Sequence, residues 1–189
     1  MFHKNADCIL DGVKPKEVVS LPVSLFKSMQ GKYFVGQTEP LWVGNDSFAW
    51  AGLVNPKDSG VYLYANVFTI SNFSDDYLTA EIWLNADFPS DAKISAKKVS
   101  PTNTALRPFP KNKVDIKYVE STTELPQHGV NVYQRIVPPY TTLVGEEDGK
   151  FIESPCGNYT IIIKSLSSKT EKVKAIVALG WWEKQNAGY

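Results

Sequence analysis

The segment from Val61 to Asn85 constrains the fold more than any other part of the chain. In Leu78-Thr-Ala-Glu-Ile-Trp-Leu-Asn85 the residues alternate: Leu78, Ala80, Ile82 and Leu84 share one face, and Thr79, Glu81, Trp83 and Asn85 the other. A period of two is the mark of a half-buried strand. The preceding stretch, 61–72, is long and rich in β-branched and aromatic residues, which suit a pleated surface. Phe73-Ser-Asp-Asp-Tyr77 between them has no apolar period and reads as a polar turn.

The pattern recurs to the end of the chain. Strands are predicted over 41–44, 47–54, 114–119, 130–137, 140–144, 150–154, 159–166 and 173–182. The gaps carry turn chemistry: Asn55-Pro-Lys-Asp-Ser-Gly60, Pro101-Thr-Asn103, Pro138-Pro139, Glu146-Glu-Asp-Gly149 and Pro155-Cys-Gly-Asn158. All twelve prolines fall outside the predicted strand interiors, as a hydrogen-bonded ladder requires. The stretch 86–112 holds Pro89, Pro101, Pro108 and Pro110 and reads as a long ordered loop. Residues 1–38 carry little strand pattern. Pro22 to Met29 predicts a short helix with Leu25, Phe26 and Met29 on one side, ended by Gly31. About ten short strands and almost no helix imply an all-β chain: an antiparallel β-sandwich over 39–189, jelly-roll or immunoglobulin-like, with a closed barrel as the alternative. Residues 1–38 form an N-terminal extension, serving either as a lid on the domain or as an arm to a neighbour.

A chain of 189 residues buries roughly 70% of its unfolded surface, so it needs no disulfide or metal to stabilise a core. Lys plus Arg and Asp plus Glu both number 20, giving zero formal charge. No basic stripe stands out, which argues against nucleic acid as a partner. Zero net charge also gives little electrostatic protection against self-association. No stretch approaches the roughly 20 apolar residues of a membrane span, so no membrane insertion is expected. The polar start, Met1 to Cys8, has no apolar signal core. The expected location is cytoplasmic, or a surface or particle assembly reached by lysis or a non-classical route.

Chemistry-bearing residues are sparse. Nucleophilic catalysis would draw on His3 or His128 with Cys156, but no recognised signature surrounds them. Two His and two Cys, widely spaced, make a poor zinc set. Asp75-Asp76 and Glu146-Glu147-Asp148 offer oxygen ligands for calcium but also suit solvated hairpin tips. Twenty acids identify no paired glycosidase carboxylates. Cys8 and Cys156 are the candidate disulfide, within or between chains; two reduced thiols are the plainer reading. On a strand, Trp181 and Trp182 point to opposite faces. If Trp181 joins the inward set of Val173, Ala175, Val177 and Leu179, then Trp182 faces outward, as Trp83 does on its strand. Such aromatics stack on sugars, anchor an interface, or lie under a loop. Asn45, Asn72 and Asn158 open N-x-S/T sequons at expected turns.

Five segments, Gly31 to Leu41, Asn66 to Asn72, Ala80 to Asn85, Asp148 to Ile152 and Leu179 to Glu183, resemble an uncharacterised family of small all-β bacterial proteins, a domain of unknown function. The resemblance implies no activity, cofactor or catalytic residue. A looser likeness, at the level of fold alone, joins the Asn-Phe-Ser hairpin and the Pro-Pro…Gly-Asn-Tyr run to β-sandwich subunits of surface fibres and phage particles.

These features lead to a non-catalytic structural or interaction protein that self-associates, through paired sheet edges and aromatic anchors at Trp83 and Trp182. The alternative is a carbohydrate-binding module, with a glycan as partner. No cofactor or metal is expected.

Overall fold

A computed structural model of the protein describes residues 20–166 and 171–186. The described residues form two six-stranded antiparallel sheets packed face to face. In chain order the elements are α1 (Val23–Met29), β1 (Tyr33–Gln37), β2 (Leu41–Val43), β3 (Phe48–Val54), β4 (Val61–Asn72), β5 (Leu78–Leu84), β6 (Lys93–Ile94), β7 (Val99–Pro101), β8 (Asp115–Thr122), β9 (Val130–Val137), β10 (Thr142–Glu153), β11 (Asn158–Ser165) and β12 (Val173–Gln185). One sheet runs β10-β4-β12-β1-β7, with β2 also pairing β12; the other runs β6-β8-β3-β11-β5-β9. The chain is an antiparallel β-sandwich.

The alternation explains the core. Leu78, Ala80 and Ile82 of β5 are fully buried between the sheets, as are Ile161 and Ile163 of β11 and Val177 of β12. Leu179 and Trp181 continue the inward set of β12. A second, smaller cluster covers the outer face of the other sheet. There the segment after β5 lays Ala86, Phe88 and Ala92 over Trp50, Val119 and Ile162, and the rings of Phe88 and Trp50 meet edge to face at 5.6 Å.

Three differences from the sequence pattern have clear physical reasons. The stretch 1–38 contains a strand: β1 fills the gap between β12 and β7, with Phe34 opposite Trp181. Five residues carrying Gly36 and Gln37 are too short to show a period. Predicted strands 140–144 and 150–154 are one strand, β10. The acidic run between them shifts the register between Glu146 and Phe151 instead of ending the strand; Asp148 and Gly149 take left-handed φ of 51° and 72° there. The long loop 86–112 is tied to both sheets, since β6 pairs β8 and β7 pairs β1.

Helix α1 ends as its sequence predicts. Gly31, at φ 67°, lets Lys32 N–H reach Lys27 C=O while Gly31 N–H reaches Ser28 C=O, the paired bonds of a Schellman turn. Among the described residues nothing covers its apolar side: Leu21, Val23, Leu25, Phe26 and Met29 are all exposed, and no residue of the helix is buried.

Candidate functional site

Sheet edges present unpaired N–H and C=O groups, and proteins blunt them with short strands, charge, proline or bulges. Most edges here follow that rule. β6 and β7 have two and three residues, as short as edges become. β10 is longer but carries Glu146, Glu147, Asp148 and Lys150 at its register shift.

β9 is different. It ends its sheet with eight residues, Val-Asn-Val-Tyr-Gln-Arg-Ile-Val, holding one charge and no proline. One irregularity, an extra residue at Val132, interrupts its pairing with β5. From Tyr133 to Val137 the ladder is regular, and the row of backbone groups facing away from β5 meets no strand among the described residues. Val130 is 62% exposed and Ile136 58%. Ile136 lies opposite Thr79 and Gln134 opposite Glu81, on the outer face. Tyr133 and Arg135 lie opposite Ile82 and Ala80, on the inner face.

A ladder of aromatic rings ties this edge to the core. Arg135 lies over the Tyr133 ring at 4.5 Å. Tyr133 meets Phe151 of β10 edge to face at 6.0 Å, Phe151 meets Tyr159 at 5.6 Å, and Tyr159 meets Phe68 in the core at 6.4 Å. The Tyr159 hydroxyl lies 3.3 Å from the buried Glu147 carboxylate. Burial, with that carboxylate beside it, holds the Tyr159 phenol well above the usual range, so it stays protonated and donates.

The residues singled out in the sequence fall in different places. Trp83 lies on the outer face of its sheet, as expected, and is half-buried at the border of the Trp50 cluster. Its Nε1 donates to Glu81 at 3.0 Å, and Glu81 also holds Lys164 and Asn131. Trp182 also takes the outer face but is only 4% exposed. It is stacked against Tyr64 at 5.5 Å and Tyr33 at 6.3 Å, and capped by the backbone of Gly149, where a Cβ would collide with the indole. The register shift of β10 folds over it, so of the three roles offered for an outward aromatic, Trp182 takes the covered one. In this structure it offers no open face to a sugar or a neighbour. Cys156 is a free, exposed thiol at φ 74° in the turn before β11; Cys8, its candidate partner, lies outside the described residues. His128, in the turn before β9, bonds Asp87 at 2.7 Å, and β5 stands between β9 and β11. Asn72 and Asn158 are buried: Asn72 bonds Asp76 and Pro138 carbonyls, and Asn158 that of Ala86. Turn geometry accounts for both asparagines.

The tryptophan that is open to solvent is Trp42, 41% exposed on β2. Its signal is present in the sequence as Leu41-Trp42-Val43, an apolar pair flanking an outward ring, but three residues are too few to register as alternation. Among the described residues, no three His, Cys, Asp or Glu side chains are grouped to hold a metal ion, and no helix is long and apolar enough to cross a membrane.

A family model described as a family of unknown function (DUF6143) matches residues 6–187. No curated protein and no solved structure matches the chain.

Proposed function

The chain belongs to the DUF6143 family, whose function is unknown, and we propose from its geometry that it is a non-catalytic structural subunit that associates with copies of itself through β9. The observation that carries the reading is the unguarded edge: eight residues, one charge, two aliphatic side chains more than half exposed, and a row of backbone groups that meets no strand among the described residues. An antiparallel copy of β9 satisfies that row and continues the sheet across two subunits, an isologous contact. The aromatic ladder behind Tyr133 holds the strand in its pairing geometry, so little ordering cost is added on association. Zero net charge removes long-range repulsion between copies. The uncovered apolar side of α1 supports the same reading. Of the 1–38 extension expected to act as a lid or an arm, residues 20–38 hold α1 and the sheet strand β1, and residues 1–19 lie outside those described.

The test is native mass by size-exclusion chromatography with light scattering, for the wild type and for Ile136→Lys combined with Val130→Lys, with and without reductant. The expected result is a dimer or larger species for the wild type, and a 21.1 kDa monomer of unchanged thermal stability for the variant. A wild type that is monomeric at all concentrations overturns the proposal. So does an assembly that survives both lysines, and one that dissociates only with reductant assigns association to the cysteines instead.

A further inference from the structure

We propose that the cleft beside Trp42 is a binding site for a neutral pyranose sugar. Trp42 sits between Leu41 and Val43, both fully buried, so the backbone beneath it is clamped while its indole faces outward. The ring stands at the flank where β2 of one sheet approaches β8 and β6 of the other. Beside it opens a cleft of about 350 Å³ lined by Trp42, Asp91, Lys93, Glu120, Ser121 and Lys172. Its size is at the lower end of the roughly 300–1,000 Å³ of small-ligand sites. The buried Val119 supplies an apolar patch of wall.

The chemistry of the lining selects the ligand. An exposed indole presents a flat electron-rich face, which suits the apolar C–H face of a sugar ring. Around it the polar groups are already fixed: Lys93 Nζ lies 2.9 Å from Glu120 Oε1, and Lys172 Nζ donates to Ser121 Oγ at 2.8 Å. Each ammonium keeps further N–H donors and each carboxylate further lone pairs, so hydroxyl groups of either polarity find partners. Two carboxylates against two ammoniums leave no net charge, which disfavours a phosphate or an acidic sugar. A single aromatic ring is no cage for a quaternary ammonium. The cleft lies at the β6–β8 end of its sheet, opposite the β9 edge, so it stays open in the associated form and does not depend on association.

The test is titration of ¹⁵N-labelled full chain with glucose, galactose, mannose, N-acetylglucosamine and cellobiose, with glucuronic acid as the anionic comparison. The readout is the backbone amide resonances of the lining residues Glu120, Ser121 and Lys172, which every variant retains, together with the Trp42 indole N–H in chains that keep Trp42. The expected result is a saturable shift with at least one neutral sugar. Affinity falls about tenfold or more in Trp42→Ala, is partly restored in Trp42→Phe, and is reduced in Glu120→Gln. No saturable shift with any neutral sugar overturns the proposal. So does binding that Trp42→Ala and Glu120→Gln leave intact, or binding of glucuronic acid alone. Repeating the titration with the Ile136→Lys, Val130→Lys chain separates this site from the β9 contact.

Discussion

Glu153 shows how one residue couples this fold to pH. It closes β10, 7% exposed, with its backbone carbonyl accepting from Asn55 at 3.0 Å. Burial pushes its carboxyl up to about 7, against a smaller opposing effect from a hydrogen bond with Asn85. An acid whose folded value lies above its unfolded one stabilises the fold most below the unfolded value, and that contribution is lost as pH rises through the folded value. The window therefore runs from the ordinary glutamate range up to about 7. With one pKa unit worth about 1.4 kcal/mol, the loss is at most about 3.5 kcal/mol. Glu153→Gln, which carries no charge, is expected to unfold at a higher temperature than the wild type at pH 8 and at a similar one near pH 4. Thermal melts across that range check it; parallel curves for the two proteins refute it. Glu183 is also buried and raised by that burial, but accepts from the N–H groups of Lys113 and Val114 and from Trp181 Nε1. Those donors hold the loop before β8 against β12.

At the scale of elements, the register shift in β10 decides the fate of Trp182. Alternation alone puts that ring on the surface; the left-handed pair Asp148-Gly149 brings backbone over it instead. Gly149 is required twice, by its φ of 72° and by the indole against it. Gly149→Val is expected to cost about 2–4 kcal/mol, from strain at positive φ plus displacement of a packed ring. The check is denaturant unfolding with the near-ultraviolet tryptophan signal: a loss under 1 kcal/mol would show that β10 does not hold Trp182. The edges follow the same logic. β6, β7 and β10 are each blunted by length or charge, and β9 is not, which is why the proposed contact between copies is placed at β9.

At the scale of the whole molecule, the two sheets end in opposite resources. The second sheet carries the β9 edge at one end, and at its β6–β8 end the cleft opens against Trp42 of the first sheet's β2. The proposed edge-to-edge dimer would present two of the proposed clefts, and a repeating sugar would then bind it with avidity that a monomer lacks. A contact built on backbone hydrogen bonds and aliphatic side chains has little ionic character. We expect the native mass to change little with added salt, and the amides of β9 to exchange slowly in concentrated protein and quickly in dilute protein. Hydrogen exchange at two protein concentrations measures this directly. Equal exchange of β9 in both would place the contact elsewhere.

The sequence by itself determined the all-β class, most strand positions and the inward sets Leu78-Ala80-Ile82 and Val177-Leu179-Trp181, because period two is a local property of each strand. It also determined the end of α1, because Gly31 acts within its own turn. The tertiary structure alone decided that β1 joins a sheet, that two predicted strands form β10, that Trp182 is buried and Trp42 open, and that β9 is the unguarded edge. Each of those depends on which strand lies beside which, and pairing across dozens of residues leaves no periodic trace in a single chain.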